Sequence, residues 1–421
     1  MLKESPKSAL DAAQQVRRYV HFDTPLSKSD CKTLVSDSNA VCTHSFYPFL
    51  RVDFIRTKFQ RIAPGQVKRS KKIREIRYAA HADAAIYAYY NFVLMKHYEQ
   101  KLAKFGLTNN VTAFRSLGRS NIDFAQEAFE WIDQHRPCVA LGFDVKDFFG
   151  SIDHTTLKNS WANLIDVESL PGDHYAVFKS LSKHASVELR AALEALNISK
   201  SSLERAIRIC DPKKFRALIR GKNLVHVNKS NKGIPQGSPI SAALSNIYML
   251  KFDMKLKEYT ESRGGLYRRY CDDILLVIPE MQVTIASALV ESALLELHLD
   301  IQHTKTLRCC FGAGKADRAL QYLGLVYDGE QVSLRAAGVS RFFVKMRRGV
   351  RQYRNAKRTD GDTPLLVQRR KELLNRYSRH AGKKERTYFS YVNRAALKSK
   401  SVPIPMQLRR HRARLKSLME T

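Results

Sequence analysis

Acidic residues placed within apolar, strand-like sequence constrain the fold of this 421-residue chain more than any other feature. Asp144 ends a short apolar run that starts at Val139, and Asp272 and Asp273 stand side by side between two β-rich runs, LYRRY and ILLVI. Aspartate disfavours strands, and burying a carboxylate without a partner is costly. A divalent cation removes that cost, because Mg²⁺ prefers hard oxygen ligands. The pattern therefore predicts a strand and a hairpin that lie together in one sheet and bring these carboxylates to a metal site.

Helical periodicity dominates much of the remaining sequence. Residues 78–98 have apolar side chains at helical spacing and predict a buried helix, and residues 122–135 predict an amphipathic helix that ends before Pro137. Residues 154–230 are predicted to be mostly helical and polar, whereas residues 320–335 have the pattern of another strand pair. The mixture of helices and hairpins predicts an α+β fold.

A loop rich in Gly and Pro, residues 233–239, precedes a further helical pattern. Ser238 is a suitable N-cap with Pro239 at the first helical position, so the sequence predicts one long helix over residues 240–259. Another amphipathic helix is predicted over residues 283–299.

The charge balance indicates the kind of partner. Lys and Arg total 72 against 40 Asp and Glu, a formal net charge of +32. Such an excess is self-repelling unless a polyanion neutralises it, which favours nucleic acid over the other readings, a secreted cationic protein or a membrane-surface binder. The chain from residue 335 onwards is especially rich in Arg and Lys and predicts a basic helical domain.

The cysteines and the N-terminus indicate the compartment. Seven cysteines without a CxxC pair argue against a disulfide framework or a zinc finger and suit a reducing cytoplasm. The N-terminal sequence lacks the apolar core of a signal peptide, and no apolar run approaches the roughly 18–20 residues that span a bilayer. We therefore expect a cytoplasmic protein that does not contact membranes.

Five short segments, in this order, resemble motifs A to E of reverse transcriptases. They are Phe143–Phe149 (FDVKDFF), Ile234–Pro239 (IPQGSP) before a helix of small residues, Tyr270–Asp273 (YCDD), Lys305, and Tyr322–Gly324 (YLG). The resemblance implies a right-hand polymerase with fingers, a palm built on an antiparallel sheet, and an α-helical thumb. The expected divisions are an N-terminal segment at 1–60, fingers at 61–136, a palm at 137–334 with a helical insertion at about 154–230, and a thumb at 335–421.

The resemblance also implies roles at the catalytic centre. Asp144, Asp272, Asp273 and the backbone carbonyl of Val145 are expected to hold two Mg²⁺ ions, with Mn²⁺ as an alternative. Lys305 is expected to act as the general acid that protonates pyrophosphate, unless it is simply an exposed lysine.

For the incoming deoxynucleotide, the resemblance implies a site formed by motif A, motif B and the fingers. Phe149 is expected to exclude a 2′-hydroxyl, while Phe148 suits core packing better. Asp147 either lies under the triphosphate or caps a helix. The expected nucleotide-binding residues are Arg74, Asp147, Phe148, Phe149, Gln236 and Gly237.

Two further groups of residues are expected to hold the primer and the RNA–DNA duplex. The primer grip is expected at Tyr322, Leu323 and Gly324, and the thumb is expected to contact phosphates without recognising sequence. The expected thumb contacts are Arg347, Arg348, Arg351 and Arg354.

The segments AFRSLGRSNIDFAQEAFEWI and GVSRFFVKMRRGVRQYR resemble bacterial defence-associated, unknown-group reverse transcriptases. A single-gene chain of this length is most similar to their type two, which implies that it copies a structured non-coding RNA into complementary DNA, concatenated by repeated passage, during antiphage defence. Retron enzymes are more distant relatives, since NAxxH and VTG marks are missing. Template-independent, protein-primed synthesis of the abortive-infection type, RNA-directed RNA synthesis and an inactive RNA-binding scaffold remain alternatives, and the sequence does not fix the oligomeric state.

Overall fold

The computed structural model of the chain describes residues 6–16, 19–63, 66–203, 206–361, 363–377 and 387–420. The fold is α+β, as the sequence predicts, with its strands in three sheets. The strands are β1 (Phe49–Ala63), β2 (Gln66–Tyr78), β3 (Cys138–Asp144), β4 (Ala185–Glu188), β5 (His226–Val227), β6 (Leu266–Tyr270), β7 (Asp273–Ile278), β8 (Leu307–Phe311), β9 (Leu320–Tyr322), β10 (Leu325–Tyr327) and β11 (Val332–Leu334).

The helices surround these sheets. They are α1 (Ala9–Gln14), α2 (Lys28–Ser36), α3 (Ser38–Cys42), α4 (His81–Lys104), α5 (Asn121–Gln134), α6 (Phe148–Ser151), α7 (His154–Leu164), α8 (Gly172–Ser182), α9 (Leu189–Ala195), α10 (Lys200–Leu203), α11 (Pro212–Lys214), α12 (Ser241–Tyr248), α13 (Leu250–Glu261), α14 (Val283–Leu295), α15 (Ala336–Asp360), α16 (Pro364–Tyr377), α17 (Tyr388–Lys398), α18 (Pro403–Met406) and α19 (His411–Glu420). A π-helical turn (Phe215–Arg220) and two 3₁₀ turns (Glu280–Gln282, His303–Lys305) complete the described helical segments.

The central sheet has the strand order β6-β7-β3-β8, and all its pairs are antiparallel. Side chains along β3 alternate between two hydrophobic cores, as the two-residue period of a strand requires. Val139, Leu141 and Phe143 pack into the core that contains α4 and α12, whereas Cys138 and Ala140 pack into the core shared with α5 and the C-terminal helices. Burial on both faces explains why β3 is almost entirely apolar until Asp144.

The prediction of one long helix after the Gly–Pro loop is wrong in two respects. The first helix, α12, begins at Ser241 with Ile240 at the N-cap and no side-chain cap, and a break at Met249 separates it from α13. Ser238 does not cap it, because its hydroxyl is buried and has no hydrogen-bond partner among the described residues. Helices at 78–98, 122–135 and 283–299 are confirmed as α4, α5 and α14.

Two strand arrangements differ from the sequence prediction. The segment 320–335 forms three antiparallel strands, β9, β10 and β11, rather than a pair. The sequence did not predict the ribbon of β1 and β2, whose continuous pairing crosses the expected division at residue 60. Its base is extended by β4, parallel to β1 only at Phe49–Arg51, and by β5.

The described part of the chain after residue 335 is helical, as predicted. One side of α15 is buried and is formed by Phe342, Met346, Val350 and Tyr353, at helical spacing. No described helix is both long enough and apolar enough to cross a lipid bilayer. The four-stranded sheet flanked by a β-ribbon and a C-terminal helical region agrees with the right-hand architecture that the motifs imply.

Candidate active site

The strand and the acidic hairpin meet as the sequence predicts. The antiparallel register of β3 and β7 sets Asp144 directly opposite Asp273. Directly opposed residues in such a pair have Cα atoms about 4.5–5.5 Å apart, so carboxylates 129 positions apart in sequence become neighbours. The two strands therefore bring the expected acidic residues to one end of the central sheet.

The turn that carries Asp272 is held against the end of β3. Cys271 adopts a left-handed conformation with φ of 61°, which closes the turn between β6 and β7. The N–H of Val145 donates to the carbonyl oxygen of Asp272 at 3.3 Å. This hydrogen bond fixes Asp272 beside the strand that ends in Asp144.

Negative charge accumulates at this point without full compensation. Partial burial of the carboxyl group, reinforced by the charges of Asp272 and Asp144, raises the pKa of Asp273 to about 6, although the residue as a whole is exposed. A raised carboxyl pKa means that the site disfavours its own ionised form. An added cation would relieve this cost.

Lys305 supplies one positive charge. Its ammonium group forms an ion pair with Oδ1 of Asp144, and its N–H donates to the carbonyl of Gln302 at 2.8 Å. Gln302 in turn donates its N–H to the carbonyl of Asp144 at 2.8 Å. The segment that carries Lys305 is thus tied to β3 through its backbone.

The donor set fits a hard divalent cation in its chemistry. Three carboxylates lie at the end of the sheet. The carbonyl oxygen of Val145, the fourth expected ligand, accepts no hydrogen bond from an N–H of the described residues. In the described part of the chain, however, no three His, Cys, Asp or Glu side chains are grouped closely enough to surround a metal ion. Lys305 is the cation that Asp144 contacts.

A buried ion pair lies beneath the turn. Arg269, which is 0% exposed, donates from Nε and Nη2 to the two carboxylate oxygens of Asp253 at 2.6 and 2.7 Å. Its Nη1 donates to the carbonyl of Cys271 at 3.1 Å and to Asn246 at 3.2 Å. Arg269 thus links the acidic turn to α12 and α13.

Motif A continues from β3 into the one-turn helix α6. Phe148 is buried in the core, whereas Phe149 is only partly buried, and their ring centroids are 5.6 Å apart. Asp147 has φ of 43°, and its side chain makes no capping hydrogen bond, which removes the helix-cap interpretation. It lies over Gly150, where an added Cβ would collide with the Asp147 carboxylate in the present conformation.

The motif B loop lies against motif A and the ribbon. Ile234 N–H donates to the carbonyl of Phe149 at 2.9 Å, and Arg77 N–H donates to the carbonyl of Gln236 at 2.8 Å. At Gly237, with φ of 116°, a Cβ would come within 2.7 Å of the Arg77 carbonyl oxygen. The lack of a side chain at Gly237 therefore allows strand β2 to pack closely against the motif B loop.

The expected primer-grip residues border a cavity beside the acidic site. Leu323 and Gly324 form the turn between β9 and β10 with φ of 47° and 94°, and the amide of Asn121 donates to the carbonyl of Leu323 at 2.6 Å. The cavity has a volume of about 290 Å³ and is lined by Asn121, Tyr270, Asp273, Gln321, Tyr322, Leu323, Gly324 and Arg335.

Other expected site residues lie on elements other than those that carry the aspartates. Arg74 is exposed on β2 opposite Phe54. The expected thumb contacts are all exposed on α15, and they are Arg347, Arg348, Arg351 and Arg354.

Sequence reasoning missed Arg269, Asp253, Asn121 and Arg335. A usable signal existed for Arg269 alone: it lies in the hairpin arm that pairs with the apolar segment ILLVI, and an arginine buried there needs an acidic partner. The sequence did not indicate which acid.

Comparisons with known proteins agree with this geometry. The family model described as Reverse transcriptase (RNA-dependent DNA polymerase) matches residues 91–327. The Retron Ec86 reverse transcriptase of Escherichia coli is 32% identical over 102 residues, which are 24% of this chain and 30% of that protein. The Retron Mx162 reverse transcriptase of Myxococcus xanthus is 42% identical over 56 residues, which are 13% of this chain and 11% of that protein. The matches thus span less than a third of either relative.

Solved structures give weaker similarity. A truncated apo telomerase from Candida tropicalis has a TM-score of 0.41 and 12% identity, covering 74% of this chain and 61% of that chain. Telomerase from Candida albicans in complex with a TWJ fragment of telomeric RNA has a TM-score of 0.41 and 12% identity, covering 93% of this chain and 66% of that chain. These scores are too low to support a common function.

Proposed function

Because the chain belongs to the reverse transcriptase (RNA-dependent DNA polymerase) family, we propose that it is an RNA-directed DNA polymerase that adds deoxynucleotides to a 3′-hydroxyl. One observation carries the proposal. The register of β3 and β7 sets Asp144 opposite Asp273, while Val145 holds Asp272 in the adjoining turn. Nucleotidyl transfer requires carboxylates that converge in this way from separate segments.

Asp144, Asp272, Asp273 and the carbonyl of Val145 would hold two Mg²⁺ ions, with Mn²⁺ as an alternative. When bound, such ions activate the attacking hydroxyl and stabilise the leaving oxygen. Support comes from the raised pKa of Asp273, whose cause is burial together with neighbouring negative charge.

The surrounding residues have complementary tasks in this proposal. Lys305, now paired with Asp144, donates a proton to the departing pyrophosphate. The partly buried ring of Phe149 closes the space that a 2′-hydroxyl would need, and Phe148 supports it from the core. Asp147 makes no capping hydrogen bond, which leaves its carboxylate available to the nucleotide site.

The remaining contacts lie around this centre. Gln236 faces the base pair that forms, while Gly237 lets the same loop pack closely against β2. Arg74 reaches the triphosphate, since a guanidinium fork matches phosphate oxygens. The cavity beside Asp273 receives the primer end at Tyr322, Leu323 and Gly324. The four arginines of α15 hold the RNA–DNA duplex through its phosphates: Arg347, Arg348, Arg351 and Arg354.

For the template, we propose a structured non-coding RNA that is copied, repeatedly in tandem, in antiphage defence within the bacterial cytoplasm. The similarity to type-two defence enzymes over the segments around α5 and α15 supports this proposal, as does the matched relationship to retron enzymes. All seven cysteines are free, which suits a reducing compartment. Sequencing of nucleic acid that copurifies with the protein tests it: one recurrent RNA with complementary DNA is expected, and random cellular RNA contradicts it.

Primer extension on a defined RNA template tests the activity itself. The wild-type protein should incorporate deoxynucleotides in the order that the template dictates, and Asp272→Asn should abolish incorporation while RNA binding persists. Synthesis that ignores the template and yields protein-linked DNA would support the abortive-infection alternative. Absence of any synthesis by the wild type, with RNA bound, would support the scaffold alternative.

A further inference from the structure

The turn between β9 and β10 consists of Leu323 and Gly324 and borders the same cavity as Asp273. Both turn residues have positive φ, 47° and 94°, as a type I′ hairpin turn requires at its two central positions. Glycine adopts this conformation without strain, whereas a leucine there brings its Cβ close to a carbonyl oxygen. Contacts from outside the turn must therefore hold Leu323 in this conformation.

Two other segments supply such contacts. The side-chain amide of Asn121, at the first position of α5, donates to the carbonyl oxygen of Leu323 at 2.6 Å. The N–H of Arg335, immediately before α15, donates to the carbonyl oxygen of Gly324 at 3.2 Å. Each carbonyl group of the turn thus accepts a hydrogen bond from outside the hairpin. Of these two donors, only the Asn121 amide belongs to a side chain and can be removed by substitution.

The C-terminal helical region closes on the turn from α17. Tyr391 lies over Gly324, where an added Cβ would be 3.2 Å from the tyrosine hydroxyl oxygen and 3.8 Å from Nδ2 of Asn121. Seven residues later, on the same side of α17, Lys398 forms an ion pair with Asp123 of α5. The turn, the start of α5 and α17 therefore meet around the Asn121 amide.

This amide lies close to the place where the proposed chemistry occurs. Asn121, Leu323, Gly324 and Asp273 all line the cavity of about 290 Å³. In the proposed function, the primer end enters this cavity, and its 3′-hydroxyl must reach the metal ions held at Asp273. A displacement of about 1 Å at such a position can lower a reaction rate by about 100-fold.

From these contacts, we propose that Asn121 is a positioning residue, which places the primer 3′-hydroxyl by holding the turn of Leu323 and Gly324. Its hydrogen bond acts on the turn and not on the nucleotide. Loss of that bond therefore lowers kcat more than it changes KM for the deoxynucleotide. The inference rests on the proposed function, because that function makes the cavity the site of the primer end.

Asn121→Asp is the sharpest test, because aspartate has nearly the same shape but offers no N–H to the Leu323 carbonyl. A carboxylate in the first turn also suits a helix N-terminus, so α5 should keep its stability. Asn121→Ala removes the donor without adding charge, and Asn121→Gln keeps the donor on a side chain one methylene longer. Asn159→Asp, the same chemical change at an exposed position of α7, is the control. Primer extension, template–primer binding and thermal unfolding are measured for each full-length variant.

Asn121→Asp and Asn121→Ala should each lower kcat by about 10- to 100-fold, with nearly unchanged KM, template–primer affinity and thermal unfolding. Asn121→Gln should retain a higher kcat than either, and Asn159→Asp should match the wild type. Equal kcat in the Asp and Gln variants, or a loss of kcat that only accompanies a loss of thermal stability, overturns the proposal. No synthesis by the wild type refutes the proposed function, whereas normal synthesis by both the wild type and Asn121→Asp overturns this inference alone.

Discussion

Arg269 and Asp253 form a fully buried ion pair directly beneath the turn that carries Asp272, with both carboxylate oxygens of Asp253 accepting from the guanidinium. A third donor of the same guanidinium reaches the carbonyl of Cys271, whose left-handed conformation closes the turn. The pair therefore connects the stability of the palm with the position of two of the three candidate metal ligands.

This arrangement predicts that stability and activity respond differently to substitution. Arg269→Met should lower the free energy of unfolding by about 3–5 kcal/mol, because it leaves the buried Asp253 carboxylate without an opposite charge, with only the Tyr267 hydroxyl still donating to it. Arg269→Met/Asp253→Leu should regain much of that stability but little polymerase activity, since no donor remains for the Cys271 carbonyl. Chemical denaturation and primer extension measure the two quantities, and recovery of both together would contradict a positioning role for Arg269.

The raised pKa of Asp273 predicts a pH-dependent cost to folding in the absence of divalent cations. The pKa is about 6 in the folded protein and about 3.9 in an unfolded chain. The loss of folding stability from ionised Asp273 is therefore fully present above pH 6 and disappears as the pH falls towards 4. Asp273→Asn should therefore raise the thermal unfolding midpoint at pH 7.5 in EDTA, and its advantage should shrink at pH 5. Glu168→Gln, at an exposed position, is the control; an equal advantage at both pH values would count against the charge cluster.

Substitutions of the two adjacent phenylalanines, Phe148 and Phe149, should have different effects. Phe149→Ala should admit ribonucleotides, because the partly exposed ring closes the space for a 2′-hydroxyl in the proposed function. Phe148→Ala should instead destabilise the protein by about 3–5 kcal/mol through a cavity in the core. Competition between ribonucleotides and deoxynucleotides in primer extension gives the first result, and unchanged discrimination in Phe149→Ala removes its role.

Gly237→Ala should disturb the contact between the motif B loop and the ribbon. Its φ of 116° and the approach of an added Cβ to the Arg77 carbonyl, at 2.7 Å, leave no room for a side chain. Gly264→Ala is a suitable comparison, since Gly264 also has positive φ, 62°, but nothing lies within 4 Å of its added Cβ. We expect Gly237→Ala to lose both stability and activity, whereas Gly264→Ala should lose only about 1–2 kcal/mol of stability. Equal effects of the two substitutions would show that the loop contact is unimportant.

The parts of the fold that sequence predicted are those with a strong local pattern. Asp144 follows a run buried on both faces, and Asp272 and Asp273 lie between two β-rich segments, so the central hairpin and its acidic turn were recognisable. The ribbon was not, because β2 buries no continuous face and its basic residues conceal the two-residue period.

Other features depend on contacts that no local pattern encodes. Ser238 had the right residue type for an N-cap, yet the loop turns its hydroxyl into the interior and α12 starts three residues later. The partner of Arg269 lies 16 residues away on a helix and becomes evident only when α13 packs beside β6. The Lys305–Asp144 ion pair spans 161 residues, and only the resemblance to motif D pointed to this lysine.

Binding of Mn²⁺ in the presence of a deoxynucleotide triphosphate, followed by electron paramagnetic resonance, tests the central claim most directly. The wild type should bind two ions, Asp144→Asn and Asp272→Asn should each lose at least one, and Glu168→Gln should bind like the wild type. Two ions held with unchanged affinity by both aspartate variants would show that these carboxylates do not form the metal site, and the proposed polymerase mechanism would fail.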